Sequence, residues 1–286
     1  MCSIAERFIT SLPRSTMNTS HEPAEPAESA TADVAASDPN FMQSLARGLT
    51  VLQAFSDQRR SLTIAQISHR TAIPRASVRR CLHTLIALGY ASADGNQFSL
   101  KPKVLSLGYS YLSSTPLTVS AHPYLNQVSR SLNESCSLAV LQDDEVLYVG
   151  RSAASRIMSV SLTTGSRLPA YCTALGRMLL AHLPAPDLDA YLARVPLKAM
   201  TGRTVVNPER LRAILADVRD AGYVVVEEEL EVGLRSIAVP VRGASGNVLA
   251  ALNIGAHAAR VSRRKMEEDF LPVLREGAQE LSILLP

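Results

Sequence analysis

The sequence predicts an α+β protein in two parts: a small helical module closed by a β-hairpin, and a larger body of antiparallel strands with flanking helices. Three observations carry this. Apolar residues between Phe41 and Leu88 recur at the three- and four-residue spacing of helices. Two short β-rich runs then meet at Asp94-Gly95, a hairpin-turn dipeptide. Beyond Ser137, short β-rich runs alternate with turn residues and capped helices, the pattern of a mixed sheet domain rather than a doubly wound one. A chain of 286 residues has room for about two such domains.

Residues 1–40 are rich in Ser, Thr, Ala, Glu and Pro, and so poor in apolar surface that they are expected to be disordered. From Phe41 to Phe55, Leu45, Leu49, Leu52 and Phe55 form one stripe of a first helix. Thr63 caps a second helix through Ile64, Ile67 and Ser68, which Ala72-Ile73-Pro74 ends. Pro74 opens a third, Arg75 to Leu88, burying Val78, Leu82 and Leu85 and stopping at Gly89. Strands Tyr90 to Ala93 and Gln97 to Leu100 follow, joined by a type I′ turn at Asp94-Gly95. Three helices and a hairpin make a winged helix-turn-helix spanning 41–102. A helix from Lys103 to Leu112 and the hinge Ser113-Ser114-Thr115-Pro116 make a linker, 103–115, into the second domain, 116–286.

In that domain a helix near His122 to Asn133 precedes a hairpin, Ser137 to Gln142 and Val146 to Arg151, turning at Asp143-Asp144-Glu145. Met158 to Leu162 reads as a strand, and Thr173 to Leu183 as a helix with a threonine cap. Asn207-Pro208 starts a helix that Gly222 ends. Strands Tyr223 to Val226, Ser236 to Val241 and Val248 to Ile254 lead to a last helix, Ser262 to Leu284.

Charge separates the parts. Residues 1–40 carry a net −4, residues 41–115 a net +7, and the rest is neutral. A basic module beside a neutral body is the footprint of one part meeting a polyanion while the other does something else. The third helix displays Arg75, Ser77 and Arg79 near the end that would enter a DNA major groove, where an arginine fork matches guanine edges. Arg80, Lys101 and Lys103 would meet phosphates. A solvated basic face is the bland alternative; the coincidence of motif, hairpin and charge favours DNA.

Other chemistries find little support. No run of about 18 apolar residues encodes a membrane helix, and the N-terminus lacks the apolar core of a secretory signal. Cys2, Cys81, Cys136 and Cys172 form no CxxC pair, so a cytoplasmic protein without disulfides is expected. The histidines lack metal-ligand spacing and no phosphate-binding glycine loop occurs, so neither metal nor cofactor is expected. Cys172, before a helix, could be a nucleophile, although a small buried residue is the commoner situation there. Glu227-Glu228-Glu229-Leu230-Glu231 lacks the spacing of a calcium loop and reads as a solvated acidic edge.

The segments Ser44 to Leu52, Ile73-Pro74-Arg75, Leu105 to Gly108, Leu168 to Arg177 and Gly233 to Pro240 resemble those of IclR-type bacterial transcription regulators over residues 41–286. Ala65 to Arg70, Arg79 to Leu85 and Tyr111 to Ser114 are similar to the branch controlling protocatechuate and β-ketoadipate catabolism, the PcaR, PcaU and PobR group. The resemblance implies a winged-helix domain, a linker helix and a GAF-like effector domain that takes a small organic acid, β-ketoadipate or, second, protocatechuate. It implies a homodimer or tetramer on double-stranded promoter DNA, with RNA polymerase as a further partner. Carried over by motif, the pocket would hold Met158, Val160, Ala174, Leu175, Leu234, Arg235, Ser236, Asn253 and Gly255. Where relatives place an acid before the Gly-Leu-Arg motif and serines on the late strand, this chain has Val226, Asn253 and Gly255.

Helix-terminal N–H groups at Thr173 would favour a carboxylate, as would Arg235, with Ser236 and Asn253 for a keto or hydroxyl oxygen. Against this, the Met and Leu positions could be ordinary core, and Arg235 could pair with Glu228 or Glu229 to hold the fold. An enzyme using Cys172 and a constitutive architectural DNA binder stay open as alternatives.

Overall fold

In the computed structural model, which describes residues 38–56, 59–154 and 162–283, the first unit ends at Pro102 and the second begins at Lys103. Most of the expected tail, residues 1–37, and all but Leu162 of the strand expected at Met158 to Leu162 lie outside the described residues.

The first unit contains α1 (Gln43–Gln53), β1 (Ser61–Leu62), α2 (Ile64–Thr71), α3 (Arg75–Ala87), β2 (Ala91–Asp94) and β3 (Gln97–Leu100). Thr63 accepts from Gln66 N while the Gln66 side chain accepts from Thr63 N, a reciprocal cap that starts α2 firmly. Three residues, Ala72 to Pro74, turn α2 into α3, with Ala72 left-handed at φ 52°. Val78, Leu82 and Leu85 of α3 are buried as expected, against Val51, Ile67, Leu62 and Ala91.

Three details differ from the sequence reading. On α1, Leu45 and Leu49 are exposed, and Val51 with the C-cap residue Ala54 supplies the buried contacts. Periodicity finds an apolar stripe but does not say what covers it. The hairpin loop is Gly95-Asn96, because Asp94 pairs with Gln97. Only Gly95 takes positive φ (58°), whereas a type I′ turn needs it at both positions. Finally, β1 pairs with β3 in a sheet ordered β1-β3-β2; two residues are too few to show a strand period.

The second unit opens with α4 (Leu105–Ser114) and α5 (Pro116–Leu132), six residues longer at its start than expected and carrying Pro123 within it. Then come β4 (Ser135–Gln142), β5 (Glu145–Ser152), β6 (Arg167–Pro169), α6 (Ala174–Leu180), α7 (Ala185–Arg194), α8 (Pro208–Ala221), β7 (Val224–Glu227), β8 (Leu234–Arg242) and β9 (Val248–His257). A short α9 (Arg263–Lys265) passes through a π-helical turn, Met266–Phe270, into α10 (Leu271–Ile283), so the expected single last helix is interrupted.

Among the described residues, six strands form one antiparallel sheet, ordered β6-β5-β4-β9-β8-β7. Both faces are covered. Leu125, Val128, Leu274 and Ala278 of α5 and α10 pack on Cys136, Leu138, Ile237, Leu252 and Ile254. On the other face Leu175, Met178, Leu192, Leu211 and Leu215 of α6, α7 and α8 pack on Ala139, Val146, Ala238 and Ala251. Consecutive residues are buried along β4, β8 and β9, as in Ser135 to Ala139, Ser236 to Val239 and Ala250 to Ile254, which is what a sheet covered on both faces requires. This α+β architecture is the expected fold class.

Candidate functional site

On the face toward α6, the apolar surface gives way to a polar cavity near one end of the sheet. It is built from two rows of residues across neighbouring strands. Arg151 on β5 stands opposite Ser137 on β4, which stands opposite Asn253 on β9. In the second row Ser135, Gly255, Ser236 and Val226 face one another across β4, β9, β8 and β7. Tyr148, Leu162, Thr173, Leu230 and Leu234 complete much of the wall.

The cavity holds its polar groups incompletely paired. Arg151 Nη1 donates to Ser137 Oγ at 3.0 Å, whereas Arg151 Nε and Asn253 Oδ1, both sealed from solvent, have no hydrogen-bond partner among the described residues. Burial pushes the Arg151 guanidinium below its ordinary pKa, partly offset by Tyr148 and Cys136. Burial likewise pushes the Tyr148 phenol up to about 12. A desolvated cation with an empty donor in a cavity is an anion-binding arrangement, because an unpaired buried charge is costly until a counter-charge arrives.

Of the residues proposed from the sequence, Thr173, Ala174, Leu234, Ser236, Asn253 and Gly255 line this cavity. Met158 and Val160 lie outside the described residues. Leu175 does not line it; the side chain is fully buried in the core beneath α6. Thr173 lines the wall, but its hydroxyl already accepts from Gly176 N at 3.1 Å, so the short α6 start is capped rather than waiting for an anion.

Arg235 is the main correction. It neighbours Ser236 on β8 and therefore points to the opposite face, where Nε donates to Glu227 at 2.5 Å and Nη1 to the carbonyls of Ala258 and Val261. Strand alternation puts this arginine on the face away from the cavity. Arg235→Ala is expected to lower the melting temperature of the unliganded protein by several degrees and leave acid affinity within about twofold, measured by thermal denaturation and calorimetric titration.

The residues the sequence reading missed are Ser135, Ser137, Tyr148 and Arg151. The two serines were legible as polar residues at alternate positions of an otherwise buried strand. Arg151 was not, because Tyr148 and Arg151 are three apart and a regular strand would put them on opposite faces. Between them the β4–β5 register slips: Leu138 faces Gly150 but Ala139 faces Tyr148, leaving Val149 extra. That bulge turns both side chains into the cavity.

The acidic run is also not a solvated edge. Glu227 pairs with Arg235, Glu228 with Arg203, and Glu229 with the buried Arg177. Thr201 and Thr204 hydroxyls donate to the Glu228 and Glu229 carbonyls, fixing the loop that borders the cavity. Cys172 is fully buried and its thiol is pushed up to about 12 by burial, so at neutral pH it is the protonated thiol and a poor nucleophile.

In the first unit, α3 exposes Arg75, Arg79 and Arg80, and Ser77 accepts from Arg47 of α1 at 3.5 Å. Lys101 sits at the open end of the hairpin, its N–H donating to Tyr90 O, not at the tip formed by Gly95-Asn96. Lys103 is exposed and begins the second unit. Among the described residues no group of His, Cys, Asp and Glu could hold a metal ion, and no helix is long and apolar enough to cross a membrane.

Residues 44–95 match the family described as the IclR helix-turn-helix domain, and residues 109–283 match bacterial transcriptional regulator IclR C-terminal. Over 272 residues the chain is 55% identical to the Pca regulon regulatory protein of Pseudomonas putida, covering 91% of this chain and 94% of that one. It is 36% identical to the p-hydroxybenzoate hydroxylase transcriptional activator of Acinetobacter baylyi, covering 86% and 93%. The crystal structure of an IclR homolog from Microbacterium hydrocarbonoxydans, complexed with 4-hydroxybenzoate, is similar with a TM-score of 0.73 at 29% identity, covering 85% of this chain and 99% of that one. Helix-turn-helix and sheet domain follow in the order these relatives have them, and the chain belongs to the IclR family of bacterial transcription regulators.

Proposed function

We propose that this protein regulates an aromatic-acid catabolic operon in the bacterial cytoplasm, binding promoter DNA through residues 41–102 and a small organic acid through residues 116–286, with 103–115 as the linker. The observation that carries the effector half is that Arg151 Nε and Asn253 Oδ1, lining one cavity from either side of Ser137, both lack a partner among the described residues. A carboxylate satisfies the first, and a hydroxyl of the ligand donates to the second. Leu162, Leu230, Leu234 and Val226 provide apolar walls for the rest of such a ligand. The branch resemblance points to β-ketoadipate first and protocatechuate second; the relative holding 4-hydroxybenzoate supports an aromatic acid as the class to try beside them.

For the DNA half, Arg75 and Arg79 read base edges, Ser77 is held by Arg47, and Arg80, Lys101 and Lys103 contact phosphates. A homodimer or pair of dimers places two α3 helices on a pseudo-palindrome, with RNA polymerase as a further contact. The apolar side chains exposed at the cap of α1 (Met42), on α1 (Leu45, Leu49) and on α4 (Leu105, Leu107, Tyr109) support self-association.

The test is fluorescence anisotropy on DNA selected by the protein from a random pool, with and without each acid. One of the acids is expected to change operator affinity. Arg75→Ala and Arg79→Ala are each expected to lose about 1–3 kcal/mol on the selected sequence and much less on random DNA. Equal losses on both would remove the base-reading role, and operator binding indifferent to every acid would favour an architectural binder.

A further inference from the structure

Strand β5 meets the cavity with one face and helix α5 with the other, and it does both at its bulge. Arg151 points into the cavity, while its neighbour Gly150 points the opposite way. A Cβ at position 150 would stand 2.9 Å from Leu125 Cδ1 of α5 and 3.7 Å from Leu138 Cβ, so the bare glycine backbone is what Leu125 packs on. Leu125 is fully buried. The bulge is also the place where the β4–β5 ladder is interrupted, with Val149 unpaired.

Helix α5 is in turn tied to the linker. Only Thr115 separates α4 from α5, and the junction is bridged by Thr115 N to Tyr111 O, Thr118 N to Thr115 O and Val119 N to Thr115 O. A shift of α5 therefore carries the end of α4 with it.

From these contacts we infer that the packing of Leu125 on Gly150 transmits effector binding at Arg151 to the linker helix α4. Neither residue touches the acid; both are positioning residues. This rests on Arg151 being the carboxylate partner. Among the described residues Arg151 donates through Nη1 to Ser137 Oγ, and its Nε has no partner. A carboxylate engaging Nε re-aims the side chain and pulls on the strand where its ladder is weakest. The interior around Leu125 is close-packed, so a displacement of Gly150 is not absorbed but passed on.

The experiment uses the full-length protein and reads two quantities: the dissociation constant for the acid, by calorimetry, and the response, defined as the ratio of operator affinities with and without saturating acid. Leu125→Ala is expected to keep acid affinity within about threefold of wild type and to shrink the response to less than about a third. Leu125→Val, a milder trimming, should fall between. Leu274→Ala removes an equally buried leucine from α10; it should lower the melting temperature but keep the wild-type response, which separates transmission from mere loss of packing. Adding Gly150→Ala to Leu125→Ala puts a methyl back into the gap and is expected to restore part of the response. A response that depends on Arg151 but survives both Leu125 variants overturns the transmission alone. A wild-type response unaffected by Arg151→Gln overturns the site assignment and this inference with it.

Discussion

Arg151→Gln is expected to weaken acid binding by about tenfold to a hundredfold, the equivalent of losing one charge-assisted hydrogen bond of roughly 1.5–3 kcal/mol. The same change should leave the unliganded melting temperature unaltered or slightly raised. That combination follows from the geometry: the guanidinium is half-buried, its Nε has no partner among the described residues, and burial lowers its pKa. Removing it relieves a desolvated charge in the free protein while depriving the ligand of its counter-ion. Calorimetric titration with the responding acid, beside thermal denaturation without it, reads both effects. Affinity within threefold of wild type would remove Arg151 from the site. A large fall in melting temperature would mark it as a structural residue.

The Arg177–Glu229 pair should give the largest loss of stability. The two side chains meet at 2.5 Å with 4% and 10% exposure, Arg177 Nε donates to Tyr171 O at 2.9 Å, and Glu229 accepts from Val205 N at 3.0 Å. Glu229→Gln keeps an acceptor for Val205 but leaves the arginine charge buried and unpaired. Stranding one partner of such a pair costs about 3–5 kcal/mol, or roughly 10 °C in melting temperature for a unit of this size. The double change Arg177→Met with Glu229→Gln removes the stranded charge and should recover more than half of that loss. Glu229 also lines the cavity, so the single variant takes a negative charge from its wall and is not expected to weaken acid binding through charge. A melting temperature unchanged by Glu229→Gln would contradict this account.

Much of the fold was legible because it is written in local terms. Thr63, Thr173 and Asn207 cap the helices they were expected to cap, each accepting from a backbone N–H three residues on. The helical spacing of Val78, Leu82 and Leu85 and the run of arginines beside it were enough to place a helix with a buried and a basic face. Part of the cavity was reached through the family resemblance, which carried over Ser236, Asn253 and Gly255 by motif, and these three line the cavity from β8 and β9.

What only the tertiary structure decided is which cation faces the cavity. From the resemblance Arg235 was the arginine assigned to the pocket, in the Gly-Leu-Arg motif beside Ser236, yet side chains alternate along a strand and adjacent residues cannot share a face. Arg151 reaches the cavity because one extra residue, Val149, breaks the alternation of β5, and a bulge depends on the partner strand's register rather than on any local pattern. The same holds for Glu229, which is 52 positions from Arg177 in the chain and in direct contact with it in the fold. Caps and periodicities are set by residues within a turn of one another; register and buried ion pairs are set by strands and helices that meet only when the chain has closed.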